Sequence, residues 1–373
     1  MIYLDSAATS FLKPPAVKNA MLGAMNTMSS PGRGAYDAAM NAAEKVYECR
    51  RLACRLFNFE APENVVFTMN ATHALNIAIK TLAHEESRVV ISGYEHNSVT
   101  RPLRESGADI RVAAGKLFEP QSVLDAFERE LDGAELAVCN HVSNVFGFVQ
   151  PIYEIAALCA VRGVPLIIDA SQSAGIEHID ASRLGAAFIA MPGHKGLLGP
   201  QGTGLLLCSQ KPEPIMSGGT GSESRVQTMP EYLPDRAEAG THTVVGIAGL
   251  CEGMKYVMRL TPERIGAYES SLCLDCAKRL KRTPALEVFS GSGGTQAGVL
   301  SFRCKTLDCE TFCERLSESG IAARCGLHCA PLAHESAGTV ETGTVRISFS
   351  PFISRRLAAK ACAVIESIAD AEI

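Results

Sequence analysis

Residues 191–205 read MPGHKGLLGPQGTGL, which sets His194-Lys195 directly after an apolar run and inside a glycine-rich loop. The segment has neither the G-x-x-x-x-G-K-[ST] spacing of a nucleotide-phosphate loop nor the G-x-G-x-x-G that opens a dinucleotide-binding helix. A lysine held where a sheet ends, among small neighbours, suits bond formation with a carbonyl, since burial favours its neutral, nucleophilic amine. Taken alone, Lys195 would be an ordinary solvated loop residue.

It does not stand alone. Twenty-six residues upstream the run PLIID ends at Asp169, followed by Ala-Ser-Gln172. A carboxylate at the carboxyl end of a parallel strand lies where open α/β sheets bind ligands. It can hold a proton on a pyridine nitrogen, or simply cap a helix. In FTMNATHALN, residues 67–76, a strand runs into a helix whose first turn offers Thr72 and free amides. That turn suits a phosphate or an ordinary cap equally well. His96 follows the run RVVIS, again at a strand end.

Working outward, seven apolar runs alternate with helical patterns: Asn64–Thr68, Arg88–Ser92, Asp109–Ala113, Leu136–Asn140, Pro165–Asp169, Ala187–Met191 and Gly204–Cys208. Unbroken apolar strands separated by helices predict an α/β fold, a mostly parallel seven-stranded sheet covered on both faces. After about Gly249 the pattern changes. One helical region, Thr243–Arg282, precedes short strands at Leu286–Phe289, Gly298–Phe302 and Thr344–Phe349 and a closing helix at Ser354–Asp370. The expected units are a large domain, 15–255, and a smaller α+β domain, 256–373, joined by residues 1–14. Ser217–Ser224 and Ser290–Thr295 read as glycine- and serine-rich loops.

Composition narrows the function. The chain has 373 residues, 47% of them apolar, and 35 Lys plus Arg against 40 Asp plus Glu. No basic stripe offers itself to a phosphate backbone, so a nucleic-acid partner is not expected. No run is long enough to suggest a membrane span, and MIYLD lacks a basic signal segment, so a cytoplasmic location is expected. Fourteen cysteines, most of them among aliphatics as in LAVCN around Cys139, read as small core residues in a reducing compartment. Cys273-x-x-Cys276 lies in a helical stretch with no second pair at zinc spacing, so no metal site is expected.

Together these segments resemble the fold type I pyridoxal-phosphate enzymes, and within them the class-V aminotransferase branch of cysteine desulfurases and selenocysteine lyases. The resemblance runs from YLDSAATS (3–10) to TVRIS (344–348). Its most specific parts are EHNS (95–98), HVSNVFG (141–147), DASQS (169–173), PGHKGLLGPQGTG (192–204), EAGT (238–241) and RCGLHCAPL (324–332). By that resemblance Lys195 carries pyridoxal 5'-phosphate and shuttles the substrate's α-proton. Asp169 binds the ring nitrogen, His96 stacks on the ring, and Asn144 and Gln172 face its phenolic oxygen. His194 and Thr72 hold the phosphate, next to Ala71, and Thr241 reaches in from the second subunit of a homodimer. Arg346 clamps the substrate carboxylate, assisted by Asn144 and Arg324, although from the residues alone Arg346 serves equally as a surface charge. Cys329, placed just before Ala330, is the implied nucleophile.

The implied activity converts L-cysteine to L-alanine, leaving sulfur on Cys329 as a persulfide for a sulfur-accepting protein. A selenocysteine or cysteine-sulfinate lyase, or an aminotransferase with Cys329 idle, uses the same residues. Two positions depart from the family pattern. Pro192 stands where a hydroxyl residue usually precedes Gly-His-Lys, and Ala71 replaces the first of two threonines.

Overall fold

In the computed structural model, which describes residues 1–32 and 34–371, the seven apolar runs form one sheet. Its order is Val65–Thr68, Gly204–Cys208, Phe188–Pro192, Leu166–Asp169, Leu136–Asn140, Arg88–Ser92, Asp109–Ala113. Every strand matches its expected position to within one residue. Six run parallel, and Gly204–Cys208 is antiparallel to both neighbours. The reason lies in the connection before it: residues 193–203 form a loop without a helix, too short for a parallel crossover. The loop carrying Lys195 is therefore the bend of a hairpin.

Side chains alternate between two apolar layers, as the pleat requires. Val90, Ala137, Ile168 and Ile189 face one layer, while Val89, Val138, Ile167 and Phe188 face the other. Helices cover both faces. Helix Pro15–Thr27 packs on Val244–Leu260, where Gly249 leaves room for Met21.

The expected single helical region 243–282 is two helices, Val244–Leu260 and Pro262–Leu280. The break falls at Thr261, which takes a left-handed φ of 68° ahead of Pro262, because proline opens a helix well but cannot continue one. The expected boundary at 255/256 lies inside the first of these helices.

The smaller sheet is antiparallel, in the order Arg324–Gly326, Thr344–Ser348, Val299–Cys304, Leu286–Phe289. Its apolar layer includes Phe302, Phe312, Val345, Ile347 and Ile365. Residues Ile2–Tyr3 pair in parallel with Ile321–Ala322, and the Ser348 amide donates to the Leu4 carbonyl at 2.7 Å. The amino end of the chain is thereby stitched to its last strand. Ten of the fourteen cysteines are buried and all are free. Among the described residues no helix is long and apolar enough to cross a membrane.

One buried ion pair fastens the EAGT segment to the large sheet. Arg50 grips Glu238 with two nitrogens, at 2.9 and 2.6 Å, and stacks over the Phe67 ring. Glu238 also accepts from the Phe67 amide at 2.6 Å. Burial pushes the Glu238 carboxyl upward, but Arg50 and His242 outweigh it and hold it below its ordinary value. Replacing one partner strands the other charge in an apolar layer. Arg50→Met should therefore cost about 3–5 kcal/mol in chemical denaturation, with Arg50→Met/Glu238→Leu recovering much of the loss. Because the folded carboxyl is depressed, the wild-type advantage over the double variant is present above the ordinary glutamate pKa and shrinks as pH falls through the folded value.

Candidate active site

The cleft opens where the parallel strands end. Leu166–Asp169 delivers Asp169, Leu136–Asn140 delivers Asn140, and the turn after Arg88–Ser92 delivers His96. The bend after Phe188–Pro192 brings His194 and Lys195. With Ala71, Thr72, Ser98, Asn144 and Gln172 these residues line one cavity that opens to solvent.

Local packing fixes the lysine bend. A side chain at Gly196 would run into the Ala174 carbonyl. The Gly193 amide donates to Thr203 O at 2.8 Å, and the Ser10 amide donates to His194 O at 3.0 Å. Burial lowers the Lys195 amine to about 8, aided by Arg346 and Arg324 and opposed by Asp169 and Asp5. Lys195 therefore reaches its neutral, nucleophilic form far more readily than an ordinary lysine. Asp169 is 4% exposed and accepts from the Ser171 amide at 2.8 Å. Burial raises its carboxyl, against the pull of Ser171 and Lys195.

The start of a helix opens onto the same cleft. Helix Ala71–Leu82 is capped by Asn70, whose side chain accepts from the His73 amide at 2.9 Å. The Ala71 and Thr72 amides, first in the helix, have no intrahelical acceptor and sit at its positive end. Thr72 Oγ1 meets Ser98 Oγ at 2.9 Å, and Ser98 in turn meets His96 Nδ1 at 2.8 Å. Sequence reasoning passed over Ser98, although EHNS contains it. It puts a hydroxyl in the cleft that Pro192 and Ala71 line without one. His96 Nδ1 also accepts from the Ser98 amide at 3.0 Å, which leaves the ring proton on Nε2. Burial, followed by Lys195, lowers His96 to about 4, and burial likewise lowers His194 to about 4. His194 Nδ1 is steadied by Thr9 Oγ1 at 3.0 Å.

The wall facing these residues comes from the small sheet. Arg346 is 1% exposed and so is no surface charge; it donates to Asp5 Oδ1 at 2.8 Å and to the Asn144 carbonyl at 2.9 Å. Asp5, supplied by the stitched amino end, was not foreseen. Arg324 stands directly opposite Arg346 on the neighbouring strand, so both guanidinium groups leave the same face of the sheet.

Cys329 follows on a loop with two successive left-handed residues, His328 at φ 50° and Cys329 at φ 56°. Such backbone is costly for residues with a Cβ and persists only where neighbours enforce it. They do so here. Asn144 Nδ2 donates to His328 O at 2.8 Å, the Asn97 amide donates to Cys329 O at 2.8 Å, and buried His328 Nε2 lies 3.1 Å from Thr344 O. Among the described residues Cys329 is the one exposed cysteine, with Arg324 Nη2 at 3.6 Å from its sulfur.

Asn144 and Gln172 each commit one side-chain amide hydrogen to a backbone carbonyl, His328 O at 2.8 Å and Ala7 O at 2.9 Å. Asn144 Oδ1 is left buried without a partner. Thr241 lies outside this cleft; within one chain it lines a separate cavity with Tyr47, Arg50 and Thr220. Cys273 and Cys276 are buried in their helix, Cys276 against Cys362.

Comparison with known proteins accords with this geometry. The sequence model of the class-V aminotransferases matches residues 2–356. The chain belongs to that family. A probable cysteine desulfurase of Methanothermobacter thermautotrophicus is 33% identical over 93% of this chain and 89% of its own length. One of Pyrococcus abyssi is 29% identical over 95% and 90%. The apo structure of a cysteine desulfurase from Thermococcus onnurineus superposes with a TM-score of 0.90 at 28% identity, covering 99% of this chain and 95% of that one. The fold is that of cysteine desulfurases, and the class-V aminotransferases are pyridoxal-phosphate enzymes.

The residues present fit such a group. A buried carboxyl suits a protonated ring nitrogen, a lysine of lowered pKa suits an aldehyde, and a helix start with two hydroxyls suits a phosphate. Titrating the cofactor-free protein should find two lysine midpoints near 8, that of half-buried Lys13 and that of Lys195, and the one lost in Lys195→Arg belongs to Lys195. Since the Asp169 charge raises that value, Asp169→Ala should move the midpoint lower still, as read by NMR of reductively methylated lysines against Lys195→Arg.

Proposed function

We propose that the chain is a pyridoxal-phosphate-dependent cysteine desulfurase that converts L-cysteine to L-alanine. The observation that carries this reading is the placement of Cys329. It is exposed on an enforced loop, beside Arg324, and tied through Asn144 to the Lys195 cleft.

Bound pyridoxal phosphate would supply an aldehyde that condenses with an amine and a ring that spreads the electron pair left at the substrate's α-carbon. The residues of this chain supply the rest. Asp169 would hold a proton on the ring nitrogen, and neutral His96 would lie against the ring. The Ala71 and Thr72 amides, with the Thr72 and Ser98 hydroxyls and His194, would hold the phosphate. Thr241 would complete that site from a second copy in a homodimer.

Arg346 would bind the substrate carboxylate as a planar, pre-oriented donor held by Asp5. The Lys195 amine would take the α-proton and return it. The Cys329 thiolate, its sulfur 3.6 Å from Arg324 Nη2, would then attack the substrate sulfur. The new S–S bond forms as the substrate's C–S bond breaks. The C–S electron pair stays with carbon, which takes a proton, and alanine leaves. The persulfide on Cys329 passes to an external thiol or an accepting protein.

With L-cysteine and dithiothreitol, the wild type should release alanine and sulfide in equal amounts. Cys329→Ser should lose at least about a hundredfold in rate while its cofactor absorbance still responds to cysteine. Borohydride should fix the cofactor to Lys195. Full cysteine turnover by Cys329→Ser would exclude the thiolate step. If the wild type turns over selenocysteine or cysteine sulfinate, whose leaving groups need no thiolate attack, but not cysteine, a lyase reading takes its place. Amino transfer to a keto acid without sulfide would place the chain with the aminotransferases.

A further inference from the structure

We propose that Cys309, Glu310, Cys313 and Cys325 form a binding site for a thiophilic divalent cation, zinc being the natural occupant, on the small sheet away from the cleft. The sulfur atoms of Cys309 and Cys325 and a carboxylate oxygen of Glu310 lie within 4.8 Å of one another. Two thiolates on a tetrahedral zinc sit roughly 3.8 Å apart, from bonds of about 2.3 Å. The three atoms need only a small closure to share one ion.

The fourth ligand is at hand. Cys309 and Cys313 are one turn apart on helix Cys309–Glu318 and present the same face, the i, i+4 relation that sets neighbouring side chains on one ion. Cys313 is in side-chain contact with Cys325, on the strand Arg324–Gly326. The helix and the strand thus supply a mixed thiolate and carboxylate set, which selects zinc-like cations over magnesium or calcium.

The group differs from the other cysteines in its access to solvent. Cys313 and Cys325 are half-buried and Glu310 is exposed, so an ion has a path in. Among the described residues the Glu310 carboxylate meets only the Cys309 thiol, at 3.3 Å. The neighbouring Asp308 is occupied in capping the helix through Thr311 and stays outside the set.

Because successive strand residues face opposite ways, Cys325 points away from Arg324, which serves Cys329. An ion bound behind the strand would therefore brace the segment leading to the nucleophile without touching the cleft.

The test uses the full chain, stripped of metal and kept reduced by a phosphine. Cobalt(II) should bind at one equivalent per chain with thiolate-to-cobalt charge-transfer absorption, and zinc should displace it. Cys329→Ser and Cys276→Ser should bind cobalt as tightly as the wild type, whereas Cys309→Ser and Cys325→Ser should weaken binding at least tenfold. Should either serine variant fail to fold, exposed Glu310→Gln provides the reading, with a several-fold loss of cobalt affinity. The proposal is overturned if the wild type shows no thiolate–cobalt band. It is also overturned if the band survives in the Cys309, Cys325 and Glu310 variants or disappears with Cys329→Ser.

Discussion

Asn144 is where the two sheets of this protein hold each other. Its side-chain nitrogen bonds the backbone of the Cys329 loop, and its carbonyl takes the Arg346 guanidinium. One residue of the large sheet's edge thereby fixes two groups of the small sheet. That junction helps to hold the Cys329 loop, Arg346 and the large sheet in one arrangement. Because both bonds are buried, neither can be exchanged for water without leaving a polar atom unsatisfied.

Electrostatics around the junction follow from the same crowding. Lys195, Arg324 and Arg346 are three cations sharing one cleft, balanced by Asp169 and Asp5. Burial and mutual repulsion favour the neutral amine at Lys195 and neutral imidazoles at His96 and His194. A cleft with surplus positive charge, helix amides and guanidinium groups suits a doubly anionic substrate complex, one anion being a phosphate and the other a carboxylate.

Much of this was legible in the sequence. Strands buried on both faces appear as unbroken apolar runs, so all seven members of the large sheet could be placed within a residue. Motif residues at their ends pointed to Asp169, His96 and Lys195. What escaped detection depends on distant pairing. Ile2–Tyr3, Ile321–Ala322 and Arg324–Gly326 are too short to show any period. The role of Asp5 exists only because the chain's beginning lies beside Ser348. The antiparallel direction of Gly204–Cys208 follows from loop length rather than from composition. The engagement of Asn144 and Gln172 by backbone carbonyls could not be read from residue types, since an amide in a motif does not declare its partner.

The joining of Leu4 to Ser348 has a consequence for biogenesis. Residues 2–5 are synthesised long before Ile321–Ala322 and Ser348, the partners they pair with. During synthesis Asp5 has no Arg346 to meet, and the wall built on that pair stays open until the strand Thr344–Ser348 has been made. The closed cleft is accordingly out of reach of any nascent fragment that stops short of that strand.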